Sequence, residues 1–189
     1  MIYITLIFKY NLVMNKKTIY FISGASGVGK TSVIKHLKGI LPENYEVHDF
    51  DETGVPDNAD SVWRKQRSNE WIKEGIEKLF NKQGFVVCGV SHPEEIESFK
   101  KIFTSTNIEM ILLTAKDSVI RERLMKRNRD KKTKEDLERA AGKIDKFIED
   151  SINFSYVLKD LCEKYNYSII DTTFISPEEV SNKLKELIV

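Results

Sequence analysis

The sequence predicts an α/β fold in three layers, in which a five-stranded parallel sheet carries helices on both faces. Two observations lead to this prediction. Five short apolar runs of strand length alternate along the chain with segments whose apolar residues have helical spacing. The first and third runs are largely apolar, as is typical of strands buried on both faces of a parallel sheet. A chain of 189 residues suits one such domain, and no low-complexity linker divides it.

The elements follow from these runs and from local signals at their ends. The strands are predicted at Thr18–Ser23, Tyr45–Phe50, Phe85–Val90, Glu109–Thr114 and Tyr167–Asp171. The helices are predicted at Thr31–Leu41, Ser61–Asn81, Pro93–Phe103, Asp117 to about Asn128, Lys134–Tyr165 as one long helix or two, and from Ser176 onward. Pro42 ends the first helix, and Ser176 before Pro177 is a typical helix start. Ligands of such sheets bind where the strands end, so we expect the functional residues there.

The N-terminal segment at residues 1–13 is apolar, but it is shorter than the roughly 20 residues that span a bilayer. It also lacks the basic start and cleavage pattern of a signal peptide. Met14 is a more natural start, which favours a misassigned start codon or a loosely attached extension; an added strand or partner-binding arm is the alternative. We therefore predict one domain at residues 14–189, with a short lid around residues 121–136.

Composition narrows the classes of partner. The formal net charge of +1 gives no overall field that would recruit nucleic acid or an anionic membrane. Cys88 and Cys162 lie far apart in apolar surroundings, which is neither a metal-ligand nor a disulfide pattern. We expect a small-molecule partner, no membrane association, a reducing cytoplasmic setting, and a monomer or homodimer.

The strongest motif is a phosphate-binding loop that follows the first strand and opens the first helix. Its backbone N–H groups would point into one concavity at a helix N-terminus, where the helix dipole favours anions. Lys30 would reach the β- and γ-phosphates of ATP, facing solvent until the nucleotide binds, and the Thr31 hydroxyl would join the Mg²⁺ shell. The predicted ATP-binding residues here are Gly24, Ala25, Ser26, Gly27, Val28, Gly29, Lys30, Thr31 and Ser32.

Two carboxylates follow the second strand. Strand alternation would place Asp49 and Asp51 on one face. Beside a phosphate loop, such a pair can hold a metal-bound water and accept a proton from a substrate hydroxyl, which predicts Asp49 as a metal residue and Asp51 as a catalytic and substrate residue. The alternative is a solvated acidic turn.

Arginines on the second helix form a candidate substrate site. Arg64, Arg67 and Trp71 share a helical face at spacings of three and four. Arginine side chains suit a carboxylate or phosphate on the acceptor. The alternative, which the sequence leaves equally open, is a solvated face with tryptophans in the core.

A dense basic cluster follows the fourth strand. Arg123 and Arg127 are four residues apart, so both can point at one ligand from a lid over ATP. The alternatives are a solvated face or contact with DNA.

The end of the third strand offers small residues rather than a catalytic group. Gly89 and Ser91 fit close approach to a substrate, whereas His92 is better suited to a helix start than to base catalysis. The strand has no acidic residue, so the usual Walker-B aspartate is missing and Cys88 occupies the strand interior.

From Lys16 to Val189 the chain resembles the small P-loop kinases, which include adenylate, shikimate and gluconate kinases. The resemblance rests on the phosphate loop and on an Arg123-Leu-x-x-Arg127 lid entry, and it implies that Arg123 packs against adenine while Arg127 contacts phosphates. Asp49-x-Asp51 is similar to the shikimate kinase pair that supports Mg²⁺ and touches the acceptor hydroxyl. Asp171 is implied to lie near adenine.

These features predict a P-loop kinase that transfers the ATP γ-phosphoryl group to a small acceptor, either a hydroxyl compound or a nucleoside monophosphate. Lys30, Asp51 and Arg127 would be catalytic. A regulatory ATP-binding module without turnover and a polynucleotide 5′-end kinase are the alternatives. Neither the glycine run of shikimate kinase nor the Gly-Phe-Pro-Arg run of adenylate kinase follows the third strand, so the sequence does not name the acceptor.

Overall fold

The computed structural model describes residues 17–56, 59–129 and 134–189. The strands are β1 (Thr18–Ser23), β2 (Tyr45–Asp49), β3 (Gly84–Cys88), β4 (Asn107–Thr114) and β5 (Ser168–Asp171). The helices are α1 (Lys30–Ile40), α2 (Ser61–Lys78), α3 (Pro93–Ile102), α4 (Asp117–Arg129), α5 (Lys134–Lys164) and α6 (Pro177–Ile188). The segment predicted as an extension, residues 1–13, and the centre of the predicted lid, residues 130–133, lie outside the described residues.

The predicted parallel sheet is confirmed. Its strand order is β2-β3-β1-β4-β5, and each neighbouring pair is parallel. The chain leaves β1 toward β2 and β3 on one side and later returns to β4 on the other side. The loop after β1 therefore lies at the point where the strand order reverses, which is where open parallel sheets bind ligands.

Helices cover both faces of the sheet. Alternate residues of the central strand face opposite cores: Phe21 packs with α2, α3 and α5, whereas Ile22 packs with α1 and α6. Burial on both faces explains why β1 and β3 are largely apolar in sequence. Among the described residues, no helix combines the length and apolar composition needed to cross a bilayer.

The open choice between one long helix and two is settled as one helix, since α5 runs for 31 residues through Gly142. A mid-helix glycine costs only about 1 kcal/mol. Side chains that α5 buries beyond it, including Ile148, Leu158 and Cys162, stabilise the helix more than that.

The second strand is one residue shorter than predicted, and this changes the argument for the acidic pair. Because β2 ends at Asp49, strand alternation does not determine where Asp51 points. Phe50 and Asp51 lie in a turn that the Asp49 side chain closes, as its Oδ1 accepts from the Asp51 backbone N–H over 3.0 Å. The two carboxylates are neighbours through this turn and not through a shared strand face.

Candidate functional site

The phosphate loop has the backbone that an anion site requires. Gly27 and Gly29 have φ values of 88° and 105°, in the left-handed region that favours glycine. A Cβ on Gly27 would also lie 3.0 Å from the Leu124 side chain, so this glycine lets α4 pack directly on the loop. Helix α1 starts at Lys30 with Gly29 as its N-cap, and no side chain bonds its first N–H groups. These N–H groups are thus available to an anion.

Lys30 does not extend into solvent as expected. It is half-buried, and its Nζ donates to the carbonyl oxygens of Gly24 and Ala25 over 2.7 and 2.9 Å. Burial lowers the pKa of Lys30 to about 8, against opposing contributions from Cys88 and Asp51. The loop carbonyls hold the ammonium group at the loop.

A cavity of about 730 Å³ opens above the loop, within the roughly 300–1,000 Å³ range of small-molecule sites. Its wall brings together distant parts of the chain. The lining residues are Ser26, Gly27, Val28, Gly29, Lys30, Thr31, Ser32, Val33, Asp51, Val90, Arg123, Leu124, Arg127, Thr172, Ile175, Pro177 and Val180. Gly24 and Ala25 are not in this wall; they contribute the carbonyls that hold Lys30.

Asp51 lies in the cavity wall, whereas Asp49 does not. Burial raises the pKa of Asp51 above its usual value, the neighbouring charge of Asp49 raises it further, and Lys30 and Arg67 oppose the rise. A carboxylate with a raised pKa beside a phosphate loop is suited to accept a proton from a hydroxyl.

Arg123 joins three segments of the site. Its Nη1 donates to the carbonyl oxygens of Gly27 and Val28 over 3.3 and 3.2 Å and to Thr172 Oγ1 over 3.0 Å, and its Nη2 donates to the Thr172 carbonyl over 2.9 Å. These bonds connect α4, the phosphate loop and the segment after β5. Thr172 is a site residue that the sequence reasoning missed, although its position directly after the last strand was a usable signal.

Arg127 lines the same cavity one helical turn after Arg123, as the spacing predicts. Its charge contributes to the lowered pKa of Lys30, so the two cations lie near each other. The opposite face of α4 is fixed to α5, because Arg121 pairs with Glu149 and the Tyr156 hydroxyl donates to Asp117.

Three further residues predicted for the site, Gly89, Ser91 and Asp171, also lie outside the cavity wall. Gly89 packs under Phe50, where a Cβ would come within 2.0 Å of the Phe50 Cβ, so its small size serves packing rather than substrate approach. Ser91 is 1% exposed, and its backbone exchanges hydrogen bonds with the Ser23 hydroxyl. Asp171 is outside the cavity, since its Oδ1 accepts from the backbone and hydroxyl of Thr173. Val90 and Thr172, their sequence neighbours, line the cavity instead.

Cys88 occupies the position where a Walker-B acid was expected. Its Sγ lies 3.7 Å from the Lys30 carbonyl oxygen, and burial raises its pKa to about 12. It is therefore a neutral thiol near neutral pH. Among the described residues, the carboxylate that lines the cavity is that of Asp51, in the turn after β2.

The arginines of α2 lie next to this turn. Arg67 Nη1 donates to Glu70 over 3.0 Å, and its guanidinium lies over the Trp71 ring at 4.3 Å. Trp71 is buried and donates through Nε1 to the Phe50 carbonyl. The core role of this tryptophan is thus confirmed, while Arg64 and Arg67 are half-buried rather than solvated.

Comparison with known proteins places this architecture in a family. A family model described as an AAA domain matches residues 21–143, which span the phosphate loop, the acidic turn and α4. The chain belongs to the AAA domain family. No curated protein sequence matches this AAA domain chain.

Solved structures share the fold of this AAA domain chain at low sequence identity. Shikimate kinase from Acinetobacter baumannii in complex with shikimate is 17% identical, with a TM-score of 0.57, and the match covers 92% of this chain and 93% of that chain. The tunicamycin resistance protein from Deinococcus radiodurans is also 17% identical, with a TM-score of 0.56 and coverage of 92% and 96%. Shikimate kinase from Bacteroides thetaiotaomicron is 16% identical, with a TM-score of 0.56 and coverage of 90% and 97%. The predicted resemblance to small P-loop kinases is therefore confirmed for the fold.

The donor set of the site fits a magnesium ion. The Thr31 hydroxyl and the Asp51 carboxylate line the same cavity as the phosphate loop, and Asp49 contacts the backbone of Asp51. Mg²⁺ prefers oxygen ligands and is commonly held by few side chains together with water and substrate phosphates. Accordingly, the described residues contain no cluster of three or more histidine, cysteine or acidic residues that could hold a metal by itself.

Proposed function

We propose that this protein is a P-loop kinase that transfers the γ-phosphoryl group of ATP to a hydroxyl of a small molecule. One observation carries the proposal: Lys30, Asp51 and Arg127 line a single cavity together with the phosphate loop. This combination supplies a phosphate cradle, two cations for the transferred group and a carboxylate for the nucleophile. A module that only binds nucleotide would not need the carboxylate.

In the proposed reaction the acceptor hydroxyl oxygen attacks the γ-phosphorus, and the bond between that phosphorus and the β–γ bridging oxygen breaks to release ADP. The hydroxyl proton passes to the Asp51 carboxylate. Lys30 and Arg127 stabilise the charge that spreads over the phosphoryl oxygens. The Thr31 hydroxyl would hold Mg²⁺ and Asp49 would hold a water bound to the ion, which offsets phosphate charge when bound.

The roles proposed for the remaining residues follow from their positions. The Arg123 guanidinium lies in the cavity wall, where its face can pack against adenine. Residues after β5 complete the wall with mostly apolar side chains, namely Ile175, Pro177 and Val180. The buried, unpaired thiols of Cys88 and Cys162 support the reducing, cytoplasmic setting that we propose.

The test is ATP consumption with a panel of acceptors, by wild type and by Asp51→Asn. The panel contains nucleosides, nucleoside monophosphates, sugars, sugar acids, shikimate and short oligonucleotides. We expect Asp51→Asn to lower turnover roughly 10²-fold or more with little change in ATP affinity, the size expected for a lost general base.

The matched control is Asp160→Asn, which removes an exposed carboxylate from α5 and should leave turnover unchanged. Equal rates for wild type and Asp51→Asn would remove Asp51 from the mechanism. A wild type that binds ATP but is stimulated by no acceptor would contradict phosphoryl transfer and leave a regulatory nucleotide-binding module.

A further inference from the structure

A second polar region, formed by residues outside the cavity wall, lies near Asp51. It lies where the turn after β2, the start of α3 and the face of α2 meet. Phe50 connects this turn to β3 and α2, because its backbone N–H donates to the Cys88 carbonyl, its carbonyl accepts from Trp71 Nε1, and its ring lies 6.2 Å from that of Trp63. An acceptor that extends from Asp51 into this region would meet polar side chains of α2 and α3.

Several polar atoms in this region are buried without a partner among the described residues. They are Arg64 Nε, Arg67 Nε, Ser68 Oγ and Glu95 Oε2. Arg64 and Ser68 are four residues apart on one face of α2, and Ser68 is fully buried. Burying donors and acceptors without hydrogen bonds is costly, so a cluster of them indicates a ligand that completes them.

Each arginine lies in the field of a carboxylate that it does not contact. The charge of Arg64 opposes the burial-raised pKa of Glu95, and the charge of Arg67 opposes that of Asp51. Neither pair, however, forms an ion pair within 4.0 Å in the described part of the chain. A gap between a guanidinium donor and a carboxylate acceptor fits a hydroxyl group, because a hydroxyl both accepts and donates. Two such gaps fit two hydroxyls of one molecule.

The charge balance of this region decides between acceptor classes. Arg67 is already paired with Glu70, and both arginines face carboxylates, so two guanidinium groups are matched by Asp51, Glu70 and Glu95. Lys30 is a further cation near Asp51, and the exposed Lys65 is one near Glu95. Sites for phosphate or carboxylate ligands rely on arginines whose charge is available to the ligand. The charges of Arg64 and Arg67 are instead offset by neighbouring carboxylates. A like-charged acceptor group would be repelled by the carboxylates.

We propose that the acceptor is a neutral polyhydroxyl compound of the sugar or nucleoside type, with one hydroxyl at Asp51 and a second between Arg64 and Glu95. This inference rests on the proposed phosphoryl transfer and names its substrate class. The first hydroxyl is the nucleophile, and the second positions the molecule. Glu95 is thus a specificity residue that contacts substrate away from the reacting atoms.

The test compares neutral compounds with their anionic counterparts in ADP release with ATP and Mg²⁺. One arm pairs nucleosides with nucleoside 5′-monophosphates, and the other pairs hexoses with the matching uronic acids. We expect kcat/KM to favour the neutral member of the preferred pair at least about tenfold, because like charges juxtaposed in a site are costly. The arm that responds distinguishes a nucleoside from a sugar.

Glu95→Gln tests the specificity role, and Glu94→Gln, an exposed neighbour on the same helix, is the control. Glu95→Gln should raise KM for the neutral acceptor, leave KM for ATP unchanged, and shift the neutral-to-anionic preference toward the anionic member. A merely structural role would lower both activities together and leave the preference unchanged. Glu94→Gln should behave like wild type.

The possible failures are distinct. A wild type that prefers the anionic members would overturn the neutral class while leaving phosphoryl transfer intact. ATP binding, measured by calorimetry, without stimulation by any compound in either arm would overturn both the acceptor class and the transfer itself. A preference that Glu95→Gln leaves unchanged would remove Glu95 from the acceptor site.

Discussion

Arg123 donates to the hydroxyl of Thr172 over 3.0 Å and to the carbonyl oxygen of the same residue over 2.9 Å. The Thr172 hydroxyl is within donating distance of the Val28 carbonyl, at 2.8 Å, so the phosphate loop, α4 and the segment after β5 form one hydrogen-bonded unit. The residues assigned to nucleotide binding are therefore held in place by a threonine outside the loop motif.

We predict that Thr172→Val weakens both the fold and the nucleotide site. Valine keeps the shape of threonine but lacks the hydroxyl, which leaves buried polar groups on Arg123 and Val28 with fewer partners. The free energy of unfolding should fall by about 1–3 kcal/mol, measured by urea denaturation, and ATP affinity should fall with it. Thr104→Val, at an exposed position, is the control. Unchanged stability would show that the hydroxyl contributes no net hydrogen bond.

The two lid arginines should have separable effects. Arg123→Ala should weaken ATP binding and lower the melting temperature, because it removes packing against the base and the four hydrogen bonds to the loop and Thr172. Arg127→Ala should lower turnover more than ATP affinity, because it is assigned to transition-state charge, where arginines have large effects. Calorimetric titration and steady-state kinetics measure the two properties. An effect of either variant confined to DNA or RNA affinity would make the basic cluster a nucleic-acid surface.

Nucleotide affinity should depend on pH through Lys30. Its pKa is lowered from 10.5 to about 8 in the folded protein, so the ammonium loses its charge as pH rises through about 8. ATP binds the charged form, and binding above about pH 8 must then take up a proton, with affinity falling toward tenfold per pH unit. Calorimetry in buffers with different ionisation enthalpies measures this uptake at pH 8 and 9.

The same shift has the opposite effect on stability. The unfolded chain keeps the Lys30 proton up to about pH 10.5 while the folded chain releases it near 8, so this group makes the folded state more stable as pH rises between these values.

Lys30→Ala should abolish ATP binding or turnover and the proton uptake. If Lys30→Ala still binds ATP, proton uptake equal to that of wild type would assign the effect to another group.

Asp49→Asn should raise the concentration of Mg²⁺ needed for half-maximal turnover. The change removes a negative charge near the proposed metal position but retains the side-chain oxygen that closes the turn onto the Asp51 backbone N–H. The turn should persist, so the melting temperature should change little. The measurement is turnover against Mg²⁺ concentration at saturating ATP. An unchanged Mg²⁺ requirement would take Asp49 out of the metal shell.

The sequence by itself determined the sheet, the phosphate loop and the shared helical face of Arg123 and Arg127, because each depends on a local pattern. Apolar runs fix buried strands, glycines at fixed spacing fix the loop backbone, and a spacing of four fixes a helical face. Only the tertiary structure decided that Thr172 and Val90 line the cavity while Asp171, Ser91 and Gly89 do not. Those outcomes depend on which way each residue turns at a strand end and on what packs against it, such as Phe50 over Gly89. The burial that lowers the pKa of Lys30 and leaves Arg64 Nε and Glu95 Oε2 without hydrogen-bond partners among the described residues likewise arises only when distant segments meet.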